Sequence, residues 1–159
     1  MSLIAAWNGL KILSTDVGNA YLNAECREKV HVKYGKELFG PEHEGKYTVI
    51  VRALYGLKSS GASWRHHFAV EIRNMGFKDT KADGDVYRKK SYRDNKMAYY
   101  EYMFVYIDDV ICISEAPEHW INILSKQDRL REIGVPKRFL GSDIKSKQYN
   151  GHNNSCWAF

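Results

Sequence analysis

With 159 residues, of which 44% are apolar and 13% aromatic, the chain is the size of one domain, carries enough material for a real core, and contains no long linker. Its 24 lysines and arginines against 19 aspartates and glutamates give a net charge of +5 and a pI near 9.0, a bias that suits a polyanionic partner. Cys26, Cys112 and Cys156 stand far apart without C-x-x-C spacing, and His66 and His67 would point apart on a helix, so neither a disulfide framework nor a zinc site is expected.

The apolar opening Met1 to Trp7 has no charged leader and is too short to span a bilayer, so no membrane or secretion signal is expected. Residues 2–8 predict a short helix ending at the turn pair Asn8-Gly9. Lys11 to Val17 predicts a strand that delivers Asp16 at its end, and Val30 to Lys33 and Tyr47 to Leu54 predict two more. From Ala62, the residues Trp64, Phe68, Ile72 and Met75 recur at helical spacing on one apolar face, and Gly76 supplies the stop.

Asp85 to Lys90 and Met97 to Tyr106 read as strands, and Val110 to Ser114 as the return partner of the second. Pro117 opens a helix in which Trp120, Ile121, Leu124, Leu130 and Ile133 recur, ending at Gly134. Phe139 to Lys145 closes the series as a strand. This order predicts an α+β fold, an antiparallel sheet with helices packed on one face in a split βαβ core of the ferredoxin or RNA-recognition-motif kind.

Asp108 and Asp109 lie between the apolar strands Tyr102–Tyr106 and Val110–Ile113, where a two-residue turn would prefer glycine or asparagine. Adjacent like charges repel unless a cation is near. An isolated Asp-Asp is most often a solvated turn, but here the flanks bury the hairpin, and Asp16 adds a third carboxylate at the end of another apolar strand. Hard oxygen ligands of this kind suit magnesium, which takes a few carboxylates and leaves its other positions to water and phosphate. Two such ions about 3.5–4 Å apart serve in-line phosphoryl displacement.

Four ordered blocks carry a resemblance: Asp16-Val17-Gly18-Asn19-Ala20-Tyr21-Leu22-Asn23, Leu54-Tyr55-Gly56-Leu57-Lys58, Val105-Tyr106-Ile107-Asp108-Asp109 and Phe139-Leu140-Gly141-Ser142-Asp143-Ile144. In order and spacing they resemble the reverse transcriptases of copia-type LTR retrotransposons, over roughly residues 2–147. The resemblance implies a polymerase palm and RNA-directed DNA synthesis by two-metal transfer of a dNTP to a primer 3′-hydroxyl. It further implies that Asp16 and Asp108 hold Mg2+ (or Mn2+) with Asp109 completing the cluster, and that the Val17 carbonyl adds a ligand. Tyr21 occupies the place of a steric gate against a ribose 2′-hydroxyl, or else packs in the core. Tyr106 and Ile107 would approach the primer terminus, Lys58 a phosphate, and Gly56 either admits substrate or simply makes a turn. The Phe139 to Ile144 block would support the primer, or form a buried edge strand.

The second block departs from the family's usual Lys-Gln-Ala-Pro-Arg-Ala-Trp, with Lys58-Ser59-Ser60-Gly61-Ala62-Ser63-Trp64 in its place, although serine still caps a helix well. Residues 1–147 are expected to form a partial palm and 148–159 a divergent tail. Template RNA or DNA with its primer, dNTPs, and the fingers, thumb, RNase H and integrase of a polyprotein are the implied partners, in a cytoplasmic virus-like particle. An inactive nucleic-acid-binding remnant is the alternative, and a magnesium-dependent phosphohydrolase lacks a block supplying its base. Proximity of Asp16 to Asp108 and Asp109 separates the enzyme from the remnant.

Overall fold

The computed structural model describes residues 2–139, 142–148 and 155–158. Helix α1 (Ser2–Asn8) leads into β1 (Lys11–Val17), followed by α2 (Ala20–Asn23), β2 (His31–Lys33), α3 (Lys36–Phe39), β3 (Tyr47–Val49) and the long helix α4 (Ser60–Asn74). Then come β4 (Lys78–Asp79), β5 (Val86–Tyr92), β6 (Ala98–Tyr106), β7 (Asp109–Ser114), α5 (Pro117–Leu124) and β8 (Leu130–Gly134). Four short strands close the series, β9 (Arg138–Phe139), β10 (Ser142–Asp143), β11 (Lys145–Gln148) and β12 (Ser155–Ala158). The chain divides into two compact units, Asn19–Val70 forming one and Met1–Gly18 with Glu71–Phe159 the other.

The larger unit is built on a six-stranded sheet in the order β4-β5-β6-β7-β1-β8, antiparallel at every pairing. With helices around this sheet the protein is α+β. β7 is flanked on both sides and five of its six residues are buried, which explains its unbroken apolar run Val110-Ile111-Cys112-Ile113. Because side chains alternate faces along a strand, Ile12, Ile111 and Ile113 share one face and pack with Ala5, Leu10 and Phe139. Met103, Val110 and Cys112 point the other way, toward the side on which Trp120, Ile121 and Leu124 of α5 are buried.

Glu101 ties the α5 side together. This buried carboxylate accepts hydrogen bonds from Ser91 Oγ at 2.6 Å, Trp120 Nε1 at 3.1 Å, Tyr99 OH at 3.3 Å and Ser114 Oγ, so β5, β6, β7 and α5 meet on one anion. Burial alone would push its carboxyl up, but the donors Ser114, Ser91, Trp120 and Tyr99 outweigh burial and hold it below the usual range.

Two strand expectations and one helix are corrected. The helix from Pro117 ends at Leu124, and Leu130–Gly134 is a strand, because β1 would otherwise leave an unpaired inner edge. β8 fills that edge with Val17↔Leu130, Asp16↔Arg131 and Ser14↔Gly134, and Thr15 Oγ1 donates to the Arg131 carbonyl at 2.8 Å. The strand expected over Tyr47 to Leu54 stops at Val49; the backbone then pairs irregularly, with an isolated bridge Glu25↔Arg52 and Ala53 N donating to Ala24 O. The strand expected over Phe139 to Lys145 is split between β9, β10 and the start of β11, with Leu140 and Gly141 outside the described residues. α4 begins two residues before Ala62, at Ser60.

A second buried acid sits beside Glu71 on α4. Burial, the hydrogen bond that the protonated Glu71 donates to Asp128, and the charge of Asp128 push the Glu71 carboxyl up to about 8, so the pair holds a proton at neutral pH. A raised carboxyl favours the fold below its unfolded value near 4.5, and that contribution is lost as pH rises through about 8. Urea melts are therefore expected to show stability falling from about pH 5 to about pH 8 and levelling above that, and Glu71→Gln should flatten that decline. A decline unchanged by Glu71→Gln would refute the shared proton.

Candidate metal centre

Asp16 and Asp109 are directly opposite each other in the β1–β7 ladder. Asp109 is also opposite Tyr106 across the β6–β7 hairpin, so the three residues form one row across three strands. By strand alternation this row lies on the same sheet face as Ile12, Ile111 and Ile113, the face away from α5. Asp108 is held to the same end of the sheet by backbone, since the Val17 N–H donates to the Asp108 carbonyl at 2.8 Å. Val17 itself is buried.

The hairpin turn is Ile107-Asp108, not Asp108-Asp109, because Asp109 already belongs to β7. The positive φ that such a turn demands falls on Ile107, at 55°. A β-branched residue there is a genuine outlier, costing roughly 1–3 kcal/mol, and such strain concentrates at functional sites. Tyr106 and Ile107 are both about half exposed at the tip.

Electrostatics mark the cluster. Burial, then the Asp108 charge, raise the Asp16 carboxyl; Arg131 opposes them and Glu132 adds to them. Burial, then Asp108, Asp16 and Glu132, raise Asp109. The three aspartates thus lie within one another's fields. Among the described residues their oxygens do not all approach within 4.8 Å of one another, a spread too wide for a single ion gripped by all three.

Arg131 and Glu132 were not legible as site neighbours, since Leu130 to Ile133 read as helix. Only their charge and the following Gly134-Val135-Pro136 hinted otherwise. A cavity of about 560 Å³ adjoins Asp16 and Asp109, with Glu132, Lys137, Arg138 and Phe139 among its lining residues. Its basic rim comes from the loop and short strand that follow β8.

The remaining expected positions lie in the smaller unit. Tyr21 stacks on Tyr55 at 4.4 Å between ring centroids, beside Gly56, whose φ is +94°. A Cβ added at Gly56 would meet nothing within 4 Å, so the backbone conformation, not crowding by the protein, calls for glycine there. Lys58 is exposed, and Glu28 accepts the Ser59 N–H at 2.6 Å. The first-block glycine has a packing reason: a Cβ on Gly18 would come within 3.1 Å of the Arg129 carbonyl.

Residues 1–156 match the family model described as Reverse transcriptase (RNA-dependent DNA polymerase), and the chain belongs to this family. Its relatives are transposon Pol polyproteins, which sets it among the copia-type members of that family. Among its relatives, the Retrovirus-related Pol polyprotein from transposon RE1 of Arabidopsis thaliana is 26% identical over 144 residues, covering 84% of this chain and 9% of that protein. The corresponding polyprotein from transposon RE2 of the same plant is 23% identical over 137 residues, with the same coverage of 84% and 9%. The Truncated transposon Ty1-A Gag-Pol polyprotein of Saccharomyces cerevisiae is 26% identical over 154 residues, covering 92% of this chain and 11% of that protein. The chain thus spans about a tenth of the length of the curated relatives it matches. No solved structure matches it significantly.

Two outcomes test the local physics. In the absence of divalent cations, Asp109→Asn is expected to stabilise the protein by about 0.5–1 kcal/mol at pH 7, since like charges directly opposite on a ladder repel. Added Mg2+ should raise the melting temperature of the parent more than that of the variant. Ile107→Gly should also stabilise, by about 1 kcal/mol, through relief of the positive φ, and thermal melting would read either result. A loss of stability in both variants would overturn this account of the turn.

Proposed function

We propose that residues 1–147 form a partial polymerase palm, its six-stranded sheet lying in the larger unit, and that Asp16, Asp108 and Asp109 are its catalytic carboxylates, performing two-metal nucleotidyl transfer on a primed template. The observation that carries this is the register pairing of Asp16 with Asp109, with Asp108 tied alongside by the Val17 N–H. The strand order supports it: β7 lies between β1 and β6, β1 lies between β7 and β8, and in the chain α4 falls between β1 and β6, with β4 and β5 inserted before β6, and α5 between β7 and β8, as in a split βαβ core.

The donor set fits magnesium. Three hard carboxylates with raised or mutually repelling charges gain by a divalent cation. Asp16 and Asp108 would be the shared ligands, with Asp109 and the Val17 carbonyl completing the set. When bound, Mg2+ or Mn2+ supplies activation of the primer 3′-hydroxyl and neutralisation of charge at the leaving pyrophosphate.

The chain's own residues position the reactants. Tyr106 and Ile107, half exposed at the hairpin tip, would bear on the primer terminus. Tyr21, fixed by its stack on Tyr55, would screen the sugar 2′ position, and Lys58 with the open turn at Gly56 would meet the nucleotide or template. Residues 1–147 are assigned to the palm and 148–159 to a tail, with fingers, thumb, RNase H and integrase supplied by other parts of a polyprotein. A cytoplasmic virus-like particle is the proposed setting; among the described residues no helix is long and apolar enough to cross a membrane.

Primer extension on an RNA template with Mg2+ tests this, using the chain alone and the chain joined to the flanking polyprotein sequence. Extension is expected with the flanked form and should fall at least about 100-fold with Asp108→Asn, the scale of losing an essential electrostatic group. Extension that survives the substitution would overturn the mechanism.

A further inference from the structure

We propose that His67 and Glu71 of α4, with Asp128 just beyond α5, form a second metal site that takes a zinc-class divalent ion. Each of the three residues brings one ligand atom to within 4.8 Å of the other two. His67 and Glu71 stand four residues apart on one continuous helix, so they share a face one turn apart. The division between the two compact units falls inside this helix, after Val70, and helix geometry alone fixes His67 relative to Glu71. Asp128 is held by an extra turn after α5, in which its N–H donates to the Leu124 carbonyl at 2.9 Å.

Asp128 shows that a ligand belongs there. It is only 4% exposed, and its Oδ2 is buried with no hydrogen-bond donor among the described residues. Protonated Glu71 donates to this carboxylate, yet Oδ2 is left unserved. Buried charged oxygens are ordinarily satisfied by a donor or a metal. One left over beside an imidazole and a second carboxylate is a coordination position.

The donor set selects the ion. Imidazole nitrogen suits zinc and its transition-metal neighbours, whereas magnesium takes oxygen, so one nitrogen with two carboxylates points to Zn2+ over Mg2+. Bonds of about 2.0–2.2 Å in a tetrahedral site need ligand atoms roughly 3.3–3.6 Å apart. Turning the half-buried His67 and Glu71 side chains brings them in, and water fills the fourth position. His66, adjacent in sequence, is exposed and points away from this face, so the histidine pair gave no sign of the site; the signal was His67 with Glu71. The ion ties α4 to the turn after α5, a clamp that does not rest on the proposed polymerase function.

The test is calorimetric titration of the whole, chelator-treated chain with Zn2+ in excess Mg2+, which occupies sites built from oxygen alone. One tight equivalent of Zn2+ is expected, with a rise in melting temperature. His67→Ala and Asp128→Asn should each weaken that binding by at least about ten-fold, while His66→Ala and Asp109→Asn should bind as the parent does. Absence of binding by the parent would overturn the proposal, as would binding that survives both His67→Ala and Asp128→Asn. An equal loss from His66→Ala would overturn it by revealing capture at surface histidines, and an equal loss from Asp109→Asn by moving the ion to the aspartate row. Primer extension is not read, so failure of the catalytic proposal leaves the result untouched. Thermal melts in chelator separate lost binding from lost fold.

Discussion

The register of β1 against β7 is the constraint on which the rest depends. Side chains alternate along a strand, so a one-residue slip would move every residue of β1 to the other face. Ile12 opposite Ile113, and Ser14 opposite Ile111, fix the pairing by burying one face, and the same step of two residues then sets Asp16 against Asp109. Hydrophobic burial of about 1.5–3 kcal/mol per large aliphatic side chain is thus what holds two repelling carboxylates opposite each other. The acidic row is paid for by the isoleucines two and four residues behind it.

The α5 side of the sheet guards that register from behind. Glu101 gathers donors from β5, β7 and α5, and a shift of any one of them would strand a buried anion. Lys89 reinforces the same corner, lying 4.1 Å from the Trp120 ring centre and donating to the Met75 carbonyl at 2.8 Å. Apolar packing sets the pairing on the carboxylate side, and a polar network locks it on the other.

Much of this was legible in the sequence because the periods are local. β1 was read over the same residues that form it, and β6 and β7 were each read to within one residue, since unbroken valine, isoleucine and tyrosine runs specify strands wherever they lie. Leu130–Gly134 was misread because Leu124, Leu130 and Ile133 continue a helical spacing, while the demand that makes it a strand, the open edge of β1, is a tertiary fact more than 110 residues away. The turn was misplaced for a related reason. Composition says that two aspartates tolerate a turn better than isoleucine does, yet the ladder assigns the positive φ to Ile107. Asp108 and Asp109 were found as candidates, but their separate stations, one on the turn and one in the strand, came only from the pairing.

That separation has a mechanical meaning. With both aspartates in the turn, their spacing would follow turn motions; with Asp109 in β7, one carboxylate is fixed by the sheet and only Asp108 rides on the strained tip. Asp108 is in turn restrained by its carbonyl, which accepts the Val17 N–H. The cluster therefore combines a rigid pair, Asp16 and Asp109, with a third member whose backbone is tethered and whose side chain is left to adjust. Like-charge repulsion opposes this arrangement in the free protein, and strain at Ile107 adds to the cost. Local rules of charge and turn preference are broken together at one end of a sheet that otherwise obeys them, and consistency elsewhere makes such a concentration a mark of function.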